Sequence, residues 1–255
     1  MNRVVRKIIL AFVIPVIILF VWFFMTTYGN IPTGVLPTIP AVGKAFVDMV
    51  KSGQLQEDLL VSLGRVLKGF LVSGILGIVL GSIIGMFEPA RELFLPFITV
   101  IRQIPIIAWI PLIILWAGIG EASKVIIIVL AAFFPVLVNT ESGMEHTPKG
   151  YVEVARLYRL SPWKTFTKVY LPHAIPQILV GLKLALGVSW MAVVAAELIA
   201  SVTGIGYRLS YARSMMQADV VIVCMIVVGL VGIVMDKLIG WLFHFITPWQ
   251  GKVEK

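Results

Sequence analysis

Polar and ionisable side chains set inside apolar runs are the first place to look for chemistry, because lipid tolerates them only against protein, a cavity or water. Arg102 and Gln103 stand just ahead of Pro105, Asn139 and Glu141 close a second apolar run, and Glu197 follows Val193 to Ala196 with no flanking charge. A pathway role competes with a plainer one at each position. Arg102 can equally well snorkel to the headgroups at the cytoplasmic face. For Glu197, function or interhelical hydrogen bonding is the favoured reading. Pro105, Pro111 and Pro135 interrupt apolar helices, and such breaks persist where they abut protein or a cavity. Broken helices with polar residues beside them point toward transport.

The constellations of an enzyme are missing from the sequence. No Gly-x-x-x-x-Gly-Lys-Ser/Thr phosphate loop occurs; the nearest stretch, Gly120 to Lys124, lacks the second glycine and the hydroxyl residue. His146, His173 and His244 are far apart and form no ligand pair, so they read as interfacial or capping residues. There is no Gly-x-Ser-x-Gly elbow and no pair of carboxylates on one face inside the membrane. Cys224, the single cysteine, excludes a disulfide framework.

The elements that must position these residues follow from composition. Of 255 residues 59% are apolar and 13% charged, against about 45–50% and about 25% in soluble domains. The surplus cannot be hidden in one core, so the expected class is an all-α, polytopic membrane protein. At about 20 residues per span, six spans are predicted: Ile8 to Met25, read as an uncleaved anchor, then Leu59 to Phe87, Ile104 to Ile119, Ala122 to Asn139, Ile175 to Ala200 with Lys183 inside it, and Val220 to Met235. The stretch from Leu238 to Trp249 is short enough to be an interfacial helix. Residues 1–58 thus hold the first span and an outer loop, residues 59–255 a membrane core with a cytoplasmic loop at 141–173, all within one transmembrane domain. In the outer loop, Pro32, Pro37 and Pro40 precede a helix-like stretch from Ala41 to Val50 that reads as an external cap.

The formal net charge is +8. In a membrane chain that excess marks cytoplasmic loops more often than a nucleic-acid partner, and no nucleic acid is expected. Both termini are placed in the cytoplasm, because that orientation puts Arg3, Arg6, Lys7, Arg91, Lys149, Arg156, Arg159, Lys164 and Lys168 inside. Gly69, Ser73, Gly77, Gly81 and Gly85, each four apart, draw one smooth stripe along the second span. Close packing against a neighbour within the chain is favoured over a sliding or dimer surface.

The long cytoplasmic loop reads as two short helices and a turn. Glu153 to Leu160 forms the first, and Ser161 before Pro162 is a helix-start signal. A basic, aromatic-studded hairpin suits lipid headgroups or a docked partner equally well. Its residues, EVARLYRLSPWKTFTKVYLP from Glu153 to Pro172, resemble the cytoplasmic loop of permease subunits in binding-protein-dependent ABC importers. The family's pattern is Glu-Ala-Ala, three residues, Gly, nine residues, Ile, one residue, Leu-Pro. Glu153, Ala155, Leu171 and Pro172 match, Val154 and Val169 are conservative replacements, and Arg159 occupies the glycine position. The stretches from Ile101 to Ile128 and from Ala195 to Val223 resemble the branch importing sulfonates, taurine, nitrate and bicarbonate, most of all its aliphatic-sulfonate members.

That resemblance implies a type I ABC importer permease fold in a prokaryotic cell membrane, a second permease copy as homodimer partner, two ATPase subunits and an extracytoplasmic solute-binding protein. ATP and magnesium would be bound by the ATPases, and no cofactor by this chain. Glu153, Ala155, Arg156, Arg159, Leu160, Ser161, Pro162, Leu171 and Pro172 would couple to the ATPases. The implied substrate is a small anion, an aliphatic sulfonate first, with taurine, nitrate, bicarbonate or a pyrimidine precursor as alternatives. An anion entering a pore sheds water and needs weak donors in exchange. Gln103, Asn139, Ser189, Trp190 and Thr203 can supply them; Arg102 would attract the anion near the inner exit, and Glu197, which would repel it, is assigned to gating or helix pairing. A membrane-embedded enzyme and a secondary transporter are the rival classes, the latter lacking a visible inverted repeat.

Overall fold

The computed structural model describes residues 3–246, with side chains from 12 to 244, and among these residues the chain is helical throughout, as expected. The helices are α1 Arg3–Tyr28, α2 Ile39–Lys51, α3 Gln54–Met86, α4 Glu88–Ile101, α5 Ile106–Ala117, α6 Glu121–Glu145, α7 Lys149–Leu157, α8 Pro162–Thr165, α9 Leu171–Ala200, α10 Ile205–Ser214 and α11 Ala218–Ile246. One π-helical turn, Phe166–Tyr170, joins α8 to α9, so that Pro162–Ala200 runs as one 39-residue helix. The first expected span lies within α1, and residues 247–249 of the stretch from Leu238 to Trp249 fall outside the described residues.

α3, α6, α9 and α11 are long and apolar enough to cross a membrane. The small-residue stripe of α3 packs on α6. A Cβ on Gly77 would lie 2.7 Å from Val136, one on Gly81 2.6 Å from the Leu137 carbonyl oxygen, and one on Gly85 2.5 Å from the Glu141 carbonyl oxygen. Residue numbers on both helices rise together, so α3 and α6 run parallel. On α6's other side Gly143 faces Ala174 and Gln177 while Gly181 faces Asn139 and Val136, which makes α9 antiparallel to α6.

Two parallel spans require one return crossing between them, and here the expected third span is corrected. It is not a straight helix from Ile104 to Ile119. α5 has 12 residues, about 18 Å at about 1.5 Å per residue, too short for a hydrocarbon core of about 30 Å. The crossing is made by α4 and α5 together, bent by 96° at the break containing Arg102 and Pro105. Proline at 105 has no N–H to continue α4's ladder and biases its predecessor away from helix. α4 was hidden in the sequence by Glu88, Arg91 and Glu92, which made it look like a cytoplasmic loop.

The helix-like stretch expected from Ala41 to Val50 forms: α2 is amphipathic, with Val42, Ala45 and Met49 buried, and packs against α11. The Thr38 hydroxyl accepts the Ala41 N–H at 3.4 Å as its N-cap. α11 does not stop at Met235 but continues through Asp236 and Lys237 to Ile246, so Leu238 onward belongs to the last span. Gly81→Ala should push α3 off the α6 backbone and destabilise the protein by about 1–3 kcal/mol. Gly64→Ala, with nothing within 4 Å of its Cβ, should be neutral or stabilising by up to about 1 kcal/mol, both read by unfolding titrations in detergent micelles.

Candidate functional site

The hairpin between α6 and α9 is built by two caps. α7 ends in a Schellman motif: the Leu160 N–H donates to the Ala155 carbonyl at 3.0 Å and the Arg159 N–H to the Arg156 carbonyl at 2.9 Å. The motif needs a left-handed residue, and Arg159 supplies it with φ of +50°. The arginine thus adopts the conformation that glycine takes most readily. Ser161 then caps α8, its hydroxyl accepting the Lys164 N–H at 3.4 Å, with Pro162 at the first helical position.

Ala155 is buried, whereas Tyr151, Leu157, Tyr158 and Trp163 are strongly exposed. Glu153 and Arg156 line a polar cleft of about 490 Å³ beneath α3, α4 and α6, beside an Arg91–Glu145 ion pair of 2.5 Å. Leu171 packs beside Met144, Ala174 and Ile178, and Pro172 is exposed at the start of α9. The hairpin therefore has an anchored inner face and an uncovered outer face rich in apolar and basic groups.

A second cavity, about 440 Å³, opens at the α4–α5 break between α5, α6 and α9. Arg102, Trp109, Phe134, Asn139, Leu184 and Val188 are among its lining residues, so two of the expected path residues meet there. The Asn139 amide donates to the Pro135 carbonyl at 2.8 Å, leaving its oxygen and second N–H available. Gln103 is exposed next to Arg102. The other expected donors lie elsewhere: Trp190 gives its N–H to the Val228 carbonyl at 2.9 Å, facing α11, and the buried Ser189 hydroxyl has no partner among the described residues.

Glu197 and Thr203 belong to a third group, at the end of α9 away from the hairpin. Glu197 is 0% exposed and pairs with Arg65 at 2.7 Å, with the Ser62 hydroxyl at 2.8 Å and with the Gly206 N–H at 2.9 Å. Arg65, 3% exposed, also holds Glu121 at 2.5 Å, the Thr203 carbonyl at 2.9 Å and the Thr203 hydroxyl at 2.9 Å. Asp58 accepts from Arg208 at 2.8 Å and from the Gly204 N–H at 3.1 Å. The network ties α3, α6, α9 and α10 together. Arg65, Asp58, Ser62, Glu121 and Arg208 were missed in the sequence, although an arginine inside the run from Leu59 to Phe87 was itself a signal.

The sequence profile of the family described as binding-protein-dependent transport system inner membrane component matches residues 75–249. A protein of Escherichia coli named as an aliphatic sulfonates transport permease is 39% identical over 88% of this chain and 85% of its own length. The nitrate import permease protein of Synechocystis sp. is 31% identical over 96% and 92%. Among solved structures, a chain of an amino acid ABC transporter with histidines superposes with a TM-score of 0.61 at 18% identity, over 77% of this chain and 96% of that one. That likeness carries the fold.

The outer network yields an energetic expectation. Arg65→Met should strand the buried Glu197 carboxylate and cost about 3–5 kcal/mol. Adding Glu197→Met should restore a substantial part of that loss, because two apolar side chains replace a buried pair at little cost. A double-mutant cycle from thermal unfolding in detergent checks it, and purely additive losses would refute the coupling.

Proposed function

The chain belongs to the family of binding-protein-dependent transport system inner membrane components, a membrane-spanning permease subunit and not an enzyme, and from that premise we propose that it forms the passage for a small anion. An aliphatic sulfonate is the substrate put first, on the strength of the Escherichia coli relative's name. Nitrate is the second reading, from the Synechocystis relative, and taurine, bicarbonate and a pyrimidine precursor are further outcomes of the same assay. The observation that carries the anion is Arg102. Its exposed guanidinium lines the central cavity, has no ion-pair partner among the described residues, and stands beside Asn139.

Members of this family act with an ATPase and a solute-binding protein. In our reading two copies of the chain, as one transmembrane domain each, enclose the passage in a prokaryotic cell membrane with both termini cytoplasmic. Two ATPases dock on the hairpin from Glu153 to Pro172. ATP binding moves the hairpin, and the helix continuous with it, Pro162–Ala200, carries that motion to the cavity. Glu153 and Arg156 offer polar contacts from the cleft, Arg159, Leu160, Ser161 and Pro162 hold the turn, and Leu171 and Pro172 set the root of α9. Glu197 and Thr203 serve as an outer clamp, and Gln103 and Ser189 as donors near the path.

Two experiments in a reconstituted importer test this reading. Glu153→Lys should lower substrate-stimulated ATP hydrolysis by about tenfold or more, while a hairpin resting on anionic lipid would gain from the added positive charge; full stimulation would remove the docking assignment. Arg102→Gln should slow alkanesulfonate uptake by about tenfold, equivalent to about 1.4 kcal/mol, at unaltered protein insertion. Uptake of only neutral or cationic solutes by the unmodified importer would remove the anion.

A further inference from the structure

Lys183 on α9 and Asp236 on α11 form an ion pair of 3.2 Å whose side chains are 44% and 61% exposed. The helix register fixes their depth. Gly77 of α3 meets Val136 of α6, and Val136 meets Gly181 of α9, so Lys183 lies close to the level of Gly77. Gly77 is near the middle of α3's uncharged run, residues 69–87. In α11 Asp236 is followed directly by Lys237, a third exposed charge at this level, with the apolar residues Val220 to Met235 on one side and Leu238 to Phe243 on the other. Each charge facing hydrocarbon at that depth would cost about 2.5–3.5 kcal/mol on insertion scales. Exposed in the single chain and too costly for lipid, the pair must face water or a second protein surface.

Its surroundings favour water in the passage. On α9 the uncovered residues Val180, Lys183, Leu184, Gly187 and Met191 form one face, and Leu184 on that face also lines the central cavity with Arg102. Two cations, Lys183 and Arg102, therefore flank the same exposed strip at about the same level. The Lys183 ammonium lies over Gly240, 3.9 Å from where a Cβ would stand, so no side chain at that position covers it. A lone ammonium at that depth would hold an anion too firmly for transport, since conduction needs binding weak enough to release. A carboxylate in exchangeable contact solves that problem.

Resting on the anion reading above, we propose that Lys183 and Asp236 form a counterion-exchange site for the transported anion halfway across the membrane. Asp236 holds the ammonium while the site is vacant and yields it to the sulfonate or nitrate oxygens in passage. Once the anion moves on, the Asp236 contact re-forms.

The test uses the complete importer in liposomes, with alkanesulfonate and nitrate as probes and uptake expressed per ATP hydrolysed. Lys183→Met should lower that ratio by about tenfold or more, and Lys183→Arg should keep it within about threefold. The double variant Lys183→Met with Asp236→Leu removes the stranded carboxylate and leaves Lys237 unchanged, yet its ratio should stay as low as that of Lys183→Met. Recovery in the double variant would make the pair a structural tie and overturn the proposal, as would unchanged uptake in Lys183→Met. Both outcomes presuppose anion uptake by the unmodified importer; its failure there would instead overturn the substrate reading.

Discussion

The parallel contact between α3 and α6 is the constraint on which the remaining architecture depends. With Gly77, Gly81 and Gly85 against α6, the two backbones approach within a distance that no Cβ could occupy. Lipid gives helices no hydrophobic reason to associate, so such close van der Waals fit is what holds them. Because the pair is parallel, the intervening chain must return across the membrane. It does so through α4 and α5, whose sharp break leaves irregular backbone at Arg102 to Pro105. Irregular backbone at membrane depth persists beside protein or a water-filled space, and the cavity lies at that break. The packing of one pair and the opening beside it are thus two results of one requirement.

Ionisable groups sort into three levels with different physical states. At the outer end Arg65 and Glu197 are fully buried and saturated by Ser62, Gly206, Glu121 and Thr203; such a set resists rearrangement, since removing any member strands the others. At the middle Arg102, Lys183 and Asp236 remain exposed. At the hairpin end Glu153 and Arg156 line an open cleft beside Arg91 and Glu145. Saturation suits the first group to a structural role, and in the reading proposed above the exposed middle group is the one that meets the anion.

Much of this was legible in sequence where one physical signal acts alone. The four-residue spacing from Gly69 to Gly85 has no reading as regular except a smooth helix face, and it packs on α6. The all-helical membrane class, and a hairpin with Ser161 and Pro162 at its second start, also followed from local rules. Legibility failed where charge conceals a span. Glu88, Arg91 and Glu92 made α4 look like loop, Asp236 and Lys237 cut α11 short, and Arg65 was absorbed into a run whose partners, Glu197 and Glu121, are 132 and 56 residues away. Arg91 pairs with Glu145 on α6, Asp236 with Lys183 on α9, and Arg65 with α6 and α9, each partner lying beyond the reach of any local window.

The continuous helix Pro162–Ala200 has a mechanical consequence. Its close contacts with α6 run from Ala174 and Gln177, against Gly143, to Gly181, against Asn139 and Val136, and its far end is held by Glu197 through Arg65 and Gly206. From Pro162 to Gly181 is about 28 Å at about 1.5 Å per residue. A rod gripped at three heights cannot tilt by itself, so a push at the hairpin end is shared with α6 and with the distant ion network at once.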